Sequence, residues 1–180
     1  MHAMLLLLAA LTATAVTGSA GAFGEAPYGL SWGPLTSIPK PSLANREDNV
    51  TLLMYRNDRL PSGAVDTEEL VLEVCEKEGL QQIVWISRLF SDAEFDDKLQ
   101  AILREGNRRY GIPETRDRGV IAWNSGRFLM LRTRADPGMQ RIIMVSHGPE
   151  FDACSIEHER LSGHSIDNHW IRFLVAPGSN

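Results

Sequence analysis

The sequence predicts an α+β fold, in which a mainly antiparallel sheet carries one principal helix packed on one face. Three observations favour this class. Short segments rich in Val, Ile, Leu and Trp alternate with turn residues such as Gly, Asn and Asp along most of the chain. The connections between these segments are mostly too short for a crossover, so neighbouring strands should run antiparallel. One longer segment shows helical periodicity together with signals for both of its ends.

The N-terminus has the pattern of a secretory signal. An uninterrupted apolar run covers Met4–Ala10, and no charged side chain appears before Glu25. Small residues at Ala20 and Ala22 fit the positions nearest the cut, so we expect cleavage after Ala22. Residues 1–22 are therefore predicted to be a signal peptide, and a retained N-terminal anchor is the alternative. The expected location is periplasmic or secreted, with no stable membrane span after cleavage.

The net charge bears on the kind of partner, and the cysteine content bears on whether the fold contains a disulfide. The chain carries a formal net charge of -5, so it lacks the basic surplus that neutralises phosphates, and we expect no nucleic-acid partner. Cys75 and Cys154 are the only cysteines. Two cysteines in an exported chain predict one disulfide, and two buried free thiols are the alternative.

Pro and Gly divide the chain into an arm and a domain. Residues 23–46 are predicted to be an irregular Pro/Gly-rich arm, within which Leu30 and Trp32 alternate with polar neighbours and fit one short strand. Residues 47–180 are predicted to form a single α+β domain. The predicted strands are Val50–Tyr55, Glu69–Cys75, Leu80–Leu89, Val120–Trp123, Arg127–Arg134 and Met139–Ser146.

A hairpin turn is expected at 76–79, between two of these strands, where Gly79 can adopt a positive φ.

The chain after the last predicted strand shows less regular patterning. The segment Phe151–Asn180 predicts no clear element, apart from the apolar stretch Trp170–Val175, which fits a last strand or a docked tail.

The principal helix is predicted from Ser91 to Tyr110. Ser91 and Glu94 have the spacing of a capping box, with the serine at the N-cap. Gly111 suits the C-terminal cap, and Pro113 prevents the helix from continuing. Apolar residues recur at helical spacing and should face the sheet, namely Phe95, Leu99, Ile102, Leu103 and Tyr110.

Histidine and arginine clusters are the candidate binding residues. The candidate metal ligands are His147, His158, His164 and His169, and the candidate ligand-binding cations are Arg127, Arg132, Arg134 and Arg141. The histidine spacings match no zinc motif, so scattered surface histidines are the competing interpretation and we expect no bound metal or other cofactor. The arginines fall on a predicted hairpin, where charges that protect a sheet edge against aggregation explain them equally well.

No catalytic residue can be assigned from motifs. Gly163-His164-Ser165 resembles the start of a nucleophile elbow, but the second glycine is missing and no strand precedes it. Ser146 and His147 are sequence neighbours, but adjacent residues of a strand face opposite sides and should not pair.

The opening of the mature chain resembles a known pattern. The stretch Tyr28-Gly29-Leu30-Ser31-Trp32-Gly33 is similar to the Gly-Leu-x-Trp-Gly start of small exported proteobacterial proteins of unassigned function. The later order is similar too, with a helix that closes on Arg109-Tyr110-Gly111 and a strand that carries Trp123. The resemblance implies one α+β domain in the cell envelope and no known activity.

These observations favour an exported, non-enzymatic binding or interaction module whose ligand the sequence does not name. An envelope protein is one candidate partner. Two alternatives stay open: a small envelope metal-binding protein or hydrolase that uses the C-terminal histidines, and an inhibitor of an extracellular hydrolase. An enzyme should show a concave pocket with convergent polar groups, whereas an interaction module should show an apolar patch or a bare sheet edge.

Overall fold

The sheet is built from neighbouring hairpins, as the short connections require. The computed structural model describes residues 25–56, 66–115 and 120–166, and this part of the chain forms nine strands and two α-helices. The strands are β1 (Leu43–Glu47), β2 (Val50–Arg56), β3 (Thr67–Cys75), β4 (Gly79–Ser87), β5 (Phe90–Ser91), β6 (Glu114–Thr115), β7 (Ile121–Trp123), β8 (Phe128–Asp136) and β9 (Met139–His147). The helices are α1 (Asp92–Tyr110) and α2 (Phe151–Ser162).

All described strands join one antiparallel sheet in the order β1-β2-β3-β4-β9-β8-β7-β6, and the short β5 also pairs with β9. The only long step along this path is from β4 to β9, and the chain between them contains α1. The prediction of an α+β fold with a mainly antiparallel sheet and one principal helix is therefore confirmed. The predicted signal peptide and the apolar stretch 170–175 lie outside the described residues.

The sheet has an apolar cluster on each face. Every residue of β4 is buried, and from Ile83 to Ile86 its side chains alternate between the two clusters. Ile83 and Trp85 belong to the cluster that contacts α1 and the arm, on what we call the first face. Val84 and Ile86 belong to the cluster on the second face. The central strand is thus removed from water on both sides, as an interior strand between two layers should be.

Helix α1 packs on the first face through the predicted stripe. Phe95 is fully buried, and Leu99, Ile102, Leu103 and Tyr110 pack against the same cluster. The predicted capping box is confirmed: Ser91 accepts a hydrogen bond from the Glu94 backbone, and the Glu94 carboxylate accepts one from the Ser91 backbone. Gly111, with φ of 88°, ends the helix by donating its N–H to the Asn107 carbonyl.

Four elements were not expected, namely β1, the two-residue strands β5 and β6, and α2, and one expected strand did not form. Strand β1 lies within the residues assigned mostly to the arm, and it is held by pairing with β2 rather than by an apolar pattern, since most of its residues are exposed. Helix α2 buries only Phe151, Cys154 and His158, which gives too little apolar periodicity to predict a helix. The segment around Leu30 makes only isolated bridges, although Trp32 is buried.

The predicted disulfide between Cys75 and Cys154 is present, with a Cα–Cα distance of 6.1 Å. It joins the end of β3 to α2. Both cysteines are buried in a third small cluster together with Val50, Phe151 and Ile166. The bond therefore fastens α2 to one end of the sheet, where few apolar side chains are available to hold the helix.

We predict that the Cys75→Ala, Cys154→Ala double variant will lose about 4–5 kcal/mol of unfolding free energy, because the bond closes a loop of 79 residues in the unfolded chain. Urea unfolding of the oxidised protein and the double variant measures this loss. A reductant should lower the stability of the wild type toward that of the double variant and leave the double variant unchanged. Equal midpoints for the two oxidised proteins would contradict the prediction.

Candidate functional site

A cavity of about 460 Å³ lies where α1, the sheet and the arm meet. We call it the α1 pocket. Most of its lining is aromatic or aliphatic, contributed by Tyr28, Ile102, Tyr110, Phe128 and Met144. Its volume and apolar lining fall in the range that is typical of small-molecule sites.

The helix wall of the α1 pocket depends on a close approach between α1 and β7. Ala101, Ile102 and Gly106 line the pocket from one side of the helix. A Cβ atom at Gly106 would lie 2.7 Å from the indole ring of Trp123, closer than real Cβ atoms come to other atoms. The indole N–H of Trp123 donates to the Asn107 side chain at 3.0 Å. The absence of a side chain at position 106 therefore allows the helix to rest directly on Trp123.

The sheet wall is formed by one aromatic stack and by neighbouring side chains of β8 and β9. The rings of Tyr110 and Phe128 stack with centroids 3.8 Å apart and planes inclined by 15°. Met144 and Ser146 are two residues apart on β9, so both face the same side of the sheet. Ser146 is only 3% exposed. Together with the buried Gly106, it marks the floor of the α1 pocket.

The arm supplies the third wall through Pro27 and Tyr28. Tyr28 has φ of 64° and ψ of 27°, a left-handed conformation that non-glycine residues adopt infrequently. Its ring stacks over Trp85 at 6.5 Å. Because such conformations persist only where the surroundings hold them, we infer that the arm is firmly placed at this point.

The arm is fixed to the sheet by a backbone bridge. Gly33 and Leu80 exchange two backbone hydrogen bonds of 3.2 and 2.7 Å. A Cβ atom at Gly79 would lie 2.1 Å from the Gly33 carbonyl carbon, and Gly79 has φ of 73°. Gly79 therefore has the positive φ expected of a turn glycine, and in addition it leaves room for the arm.

The other end of α1 is oriented by an ionic network. The Asp66 carboxylate accepts hydrogen bonds from Lys98 at 2.5 Å and from Arg88 at 3.0 Å, and these contacts lower the pKa of Asp66. The Arg88 guanidinium lies 4.4 Å from the Phe90 ring centroid and also contacts Glu94. The first turns of α1 are thus tied to the chain beside β3 and β4, which sets the direction in which the helix crosses the sheet.

The α1 pocket has a neutral interior and a charged rim. Burial, with a smaller contribution from Tyr110, raises the pKa of the Tyr28 phenol well above its ordinary range, so this phenol stays neutral at physiological pH. Glu105 and Arg109 are the charged residues of the lining, and both are exposed. Arg108 and Arg109 each bond the Glu105 carboxylate and lower its pKa to about 2. Two guanidinium groups therefore share one carboxylate at the rim.

A second cavity of about 370 Å³ is polar and brings together one residue from each predicted cluster. Arg127 and His147 both line it, with Asp152 and Phe151 on α2. The His147 ring stacks on Phe151 at 3.9 Å, and its Nε2 lies 3.1 Å from Gln82 Nε2. Arg127 donates to the Gly148 carbonyl at 2.7 Å. These contacts give both residues structural roles at the start of α2.

The two other candidate histidines that the structure describes, His158 and His164, have different surroundings. His158 is buried on α2, and its Nδ1 lies 3.0 Å from the Asn49 side-chain oxygen. His164 is exposed just after α2, and His169 lies outside the described residues. In the described part of the chain, only Cys75, Glu78 and Cys154 place three potential metal-ligand atoms within 4.8 Å of one another. The two cysteines are joined in the disulfide and offer no thiolate.

The four candidate arginines do not share one face of the sheet. The strand alternation places Arg132 and Arg134 on the first face and Arg141 on the second, whereas Arg127 precedes β8 and lines the second cavity. Arg132 lies 5.8 Å from the Phe95 ring centroid, and Arg141 pairs with Glu68 at 2.9 Å. The predicted cluster is therefore not one site.

The candidate nucleophiles likewise do not assemble. Ser146 pairs in register with Ile83, whereas His147 pairs with Gln82, so the two side chains point to opposite faces as expected. Gly163 ends α2 in a left-handed conformation, which places this stretch at a helix end.

Sequence reasoning did not identify the α1 pocket. Tyr28 and Ser146 are separated by most of the domain, and only the fold brings them to the same cavity. One signal was available: in the alternating pattern of β9, Ser146 occupies a position where an apolar residue would be expected after Ile142 and Met144.

Comparisons of the chain with known proteins found no match. No family model matches the chain, and no curated protein or solved structure matches it either. Within the described ranges, neither helix has both the length and the apolar character needed to cross a membrane.

We predict that Tyr28 will be the last of the three tyrosines to ionise. Because burial favours the neutral phenol in the folded state, its contribution to stability is complete below the ordinary pKa of 10.0 and is lost as the pH rises through the raised folded value. Absorbance titration of phenolate measures the order of ionisation. Tyr28→Phe should remove the latest step and make the protein more resistant to alkaline unfolding.

The control is the wild type in concentrated urea, where all three tyrosines should titrate near the ordinary value. A Tyr28→Phe variant that retains the latest step would show that another tyrosine is responsible.

Proposed function

We propose that this protein is an exported, non-enzymatic binding module that holds one small apolar molecule in the α1 pocket. The observation that carries the proposal is the cavity itself: about 460 Å³, lined by aromatic and aliphatic side chains, with a few hydroxyl groups among them. Pockets with this balance of apolar walls and few polar groups are the usual form of small-molecule sites.

The lining supports binding better than catalysis. Its charged residues, Glu105 and Arg109, pair with each other at the rim, and the remaining polar groups are the hydroxyls of Tyr28, Tyr110 and Ser146. A hydrolase would need a nucleophile with an adjacent base, or a metal with open coordination positions. His147 instead stacks on Phe151, and His158 is within hydrogen-bond distance of Asn49.

Export is supported by two independent features. The signal-like N-terminus directs the chain out of the cytoplasm, and the Cys75–Cys154 disulfide is the kind of bond that persists in an oxidising compartment. A binding module of this kind would encounter its ligand in the envelope or outside the cell.

We predict that the neutral fluorescent probe N-phenyl-1-naphthylamine will bind the wild type and that Ala101→Trp will weaken this binding at least tenfold. Ala101 lines the α1 pocket, so an indole at this position should occupy the space that the probe needs. Probe fluorescence during a protein titration gives the Kd for each variant.

Ala93→Trp is the matched control, because Ala93 is also exposed on α1 but does not line the α1 pocket. It should bind the probe as the wild type does. Equal loss of affinity in the two variants, or no loss in Ala101→Trp, would overturn the proposal that the probe sits in this pocket.

A further inference from the structure

Ser146 is a buried hydroxyl in apolar surroundings. On the first face of the sheet, its in-register neighbours are Ile83 on β4 and Phe128 on β8. It is 3% exposed, and it lines the α1 pocket. A serine at such a position gives up the apolar packing that a valine or leucine would contribute.

A comparison with the other buried serine of the sheet shows what is unusual about Ser146. The Ser87 hydroxyl donates to the Arg88 carbonyl and accepts from the Ile142 backbone, so it is fully used inside the protein. Within the residues that the structure describes, none of the side-chain hydrogen bonds involves the Ser146 hydroxyl. Because Ser146 lines the α1 pocket, its hydroxyl can bond a molecule that occupies this cavity.

We propose that the α1 pocket selects neutral carbonyl compounds, whose carbonyl oxygen accepts a hydrogen bond from the Ser146 hydroxyl while the apolar remainder packs against Tyr110 and Phe128. This inference rests on the proposed binding function and specifies the chemical class of the ligand.

The other polar groups of the pocket favour the same class. The Tyr28 and Tyr110 phenols can also donate to a carbonyl oxygen, and the neutral Tyr28 phenol keeps its proton. A carboxylate would have to leave water, whereas Arg109, the cation of the lining, is exposed at the rim and already bonds Glu105. A pure hydrocarbon would leave the Ser146 hydroxyl without a partner. The pocket should therefore reject anions and prefer a ketone, ester or amide to the corresponding hydrocarbon.

Three probes of nearly equal shape test this selectivity: 2-acetylnaphthalene, the hydrocarbon 2-isopropenylnaphthalene and 2-naphthoate. Competition with N-phenyl-1-naphthylamine on the full chain gives each Kd. In the wild type, the ketone should bind about three- to tenfold more tightly than the hydrocarbon, the range expected for one net hydrogen bond. The carboxylate should bind more weakly than both.

Ser146→Ala should remove most of the ketone-to-hydrocarbon preference, because the hydroxyl proposed to distinguish the two probes is gone. Tyr28→Phe is the second variant, and it should lower the ratio less because Ser146 remains. Thermal unfolding followed by circular dichroism establishes that each variant is folded.

The failures of the two proposals are distinguishable. Binding of all three probes without preference, or a ratio that Ser146→Ala leaves unchanged, would overturn the selectivity and leave the pocket as a general apolar site. Tighter binding of the carboxylate would also overturn the selectivity. No binding of any probe to the wild type would overturn the proposed function together with this inference.

Discussion

The burial of β4 along its whole length is the constraint on which the rest of the structure depends. All nine residues of this strand are buried, and the side chains from Ile83 to Ile86 alternate between the two apolar clusters. Both faces of the sheet must therefore be kept from water. On the first face, α1 and the arm provide this cover, and the α1 pocket lies where these two covering elements meet.

On the second face, α2 is placed at the end of β4 by polar contacts and by a covalent bond. The buried Gln81 side chain donates to the Glu78 carbonyl and accepts from the Glu150 backbone, which fixes the start of α2. The Cys75–Cys154 bond then holds the first turn of the helix against the end of β3. A short helix with few buried apolar residues is thus positioned mainly by specific links rather than by the area it buries.

Sequence patterns predicted the elements whose local signals agree with their surroundings. The central hairpin strands and α1 were located within a few residues, because alternation, turn glycines and the Ser91 capping box all indicate the same structure. Strand β1 and α2 were missed because their stability comes from partners distant in sequence. For β1 this partner is β2. For α2 it includes Asn49, which lies within hydrogen-bond distance of the buried His158, and a hydrophobic pattern in the sequence cannot reveal such a contact.

The functional residues were harder to predict for the same physical reason. Histidine and arginine attract attention in a sequence because they ionise, but in the described part of the chain His158 contacts Asn49 and Arg141 pairs with Glu68. The α1 pocket is formed instead by tyrosines, small residues and one serine, which carry no motif. Their common location depends on how closely α1 approaches Trp123, and only the assembled fold sets that distance.

The docked arm has a consequence for how the protein responds to its environment. Since Tyr28 forms one wall of the α1 pocket, a chain whose arm has detached from Leu80 retains only part of the site. Arm attachment and ligand occupancy are then linked equilibria, and each must strengthen the other by the same factor. The measured affinity equals the intrinsic affinity multiplied by the fraction of molecules with an attached arm. If the pocket binds a ligand as proposed, a change far from the cavity that loosens the Gly33–Leu80 bridge would consequently lower the measured affinity.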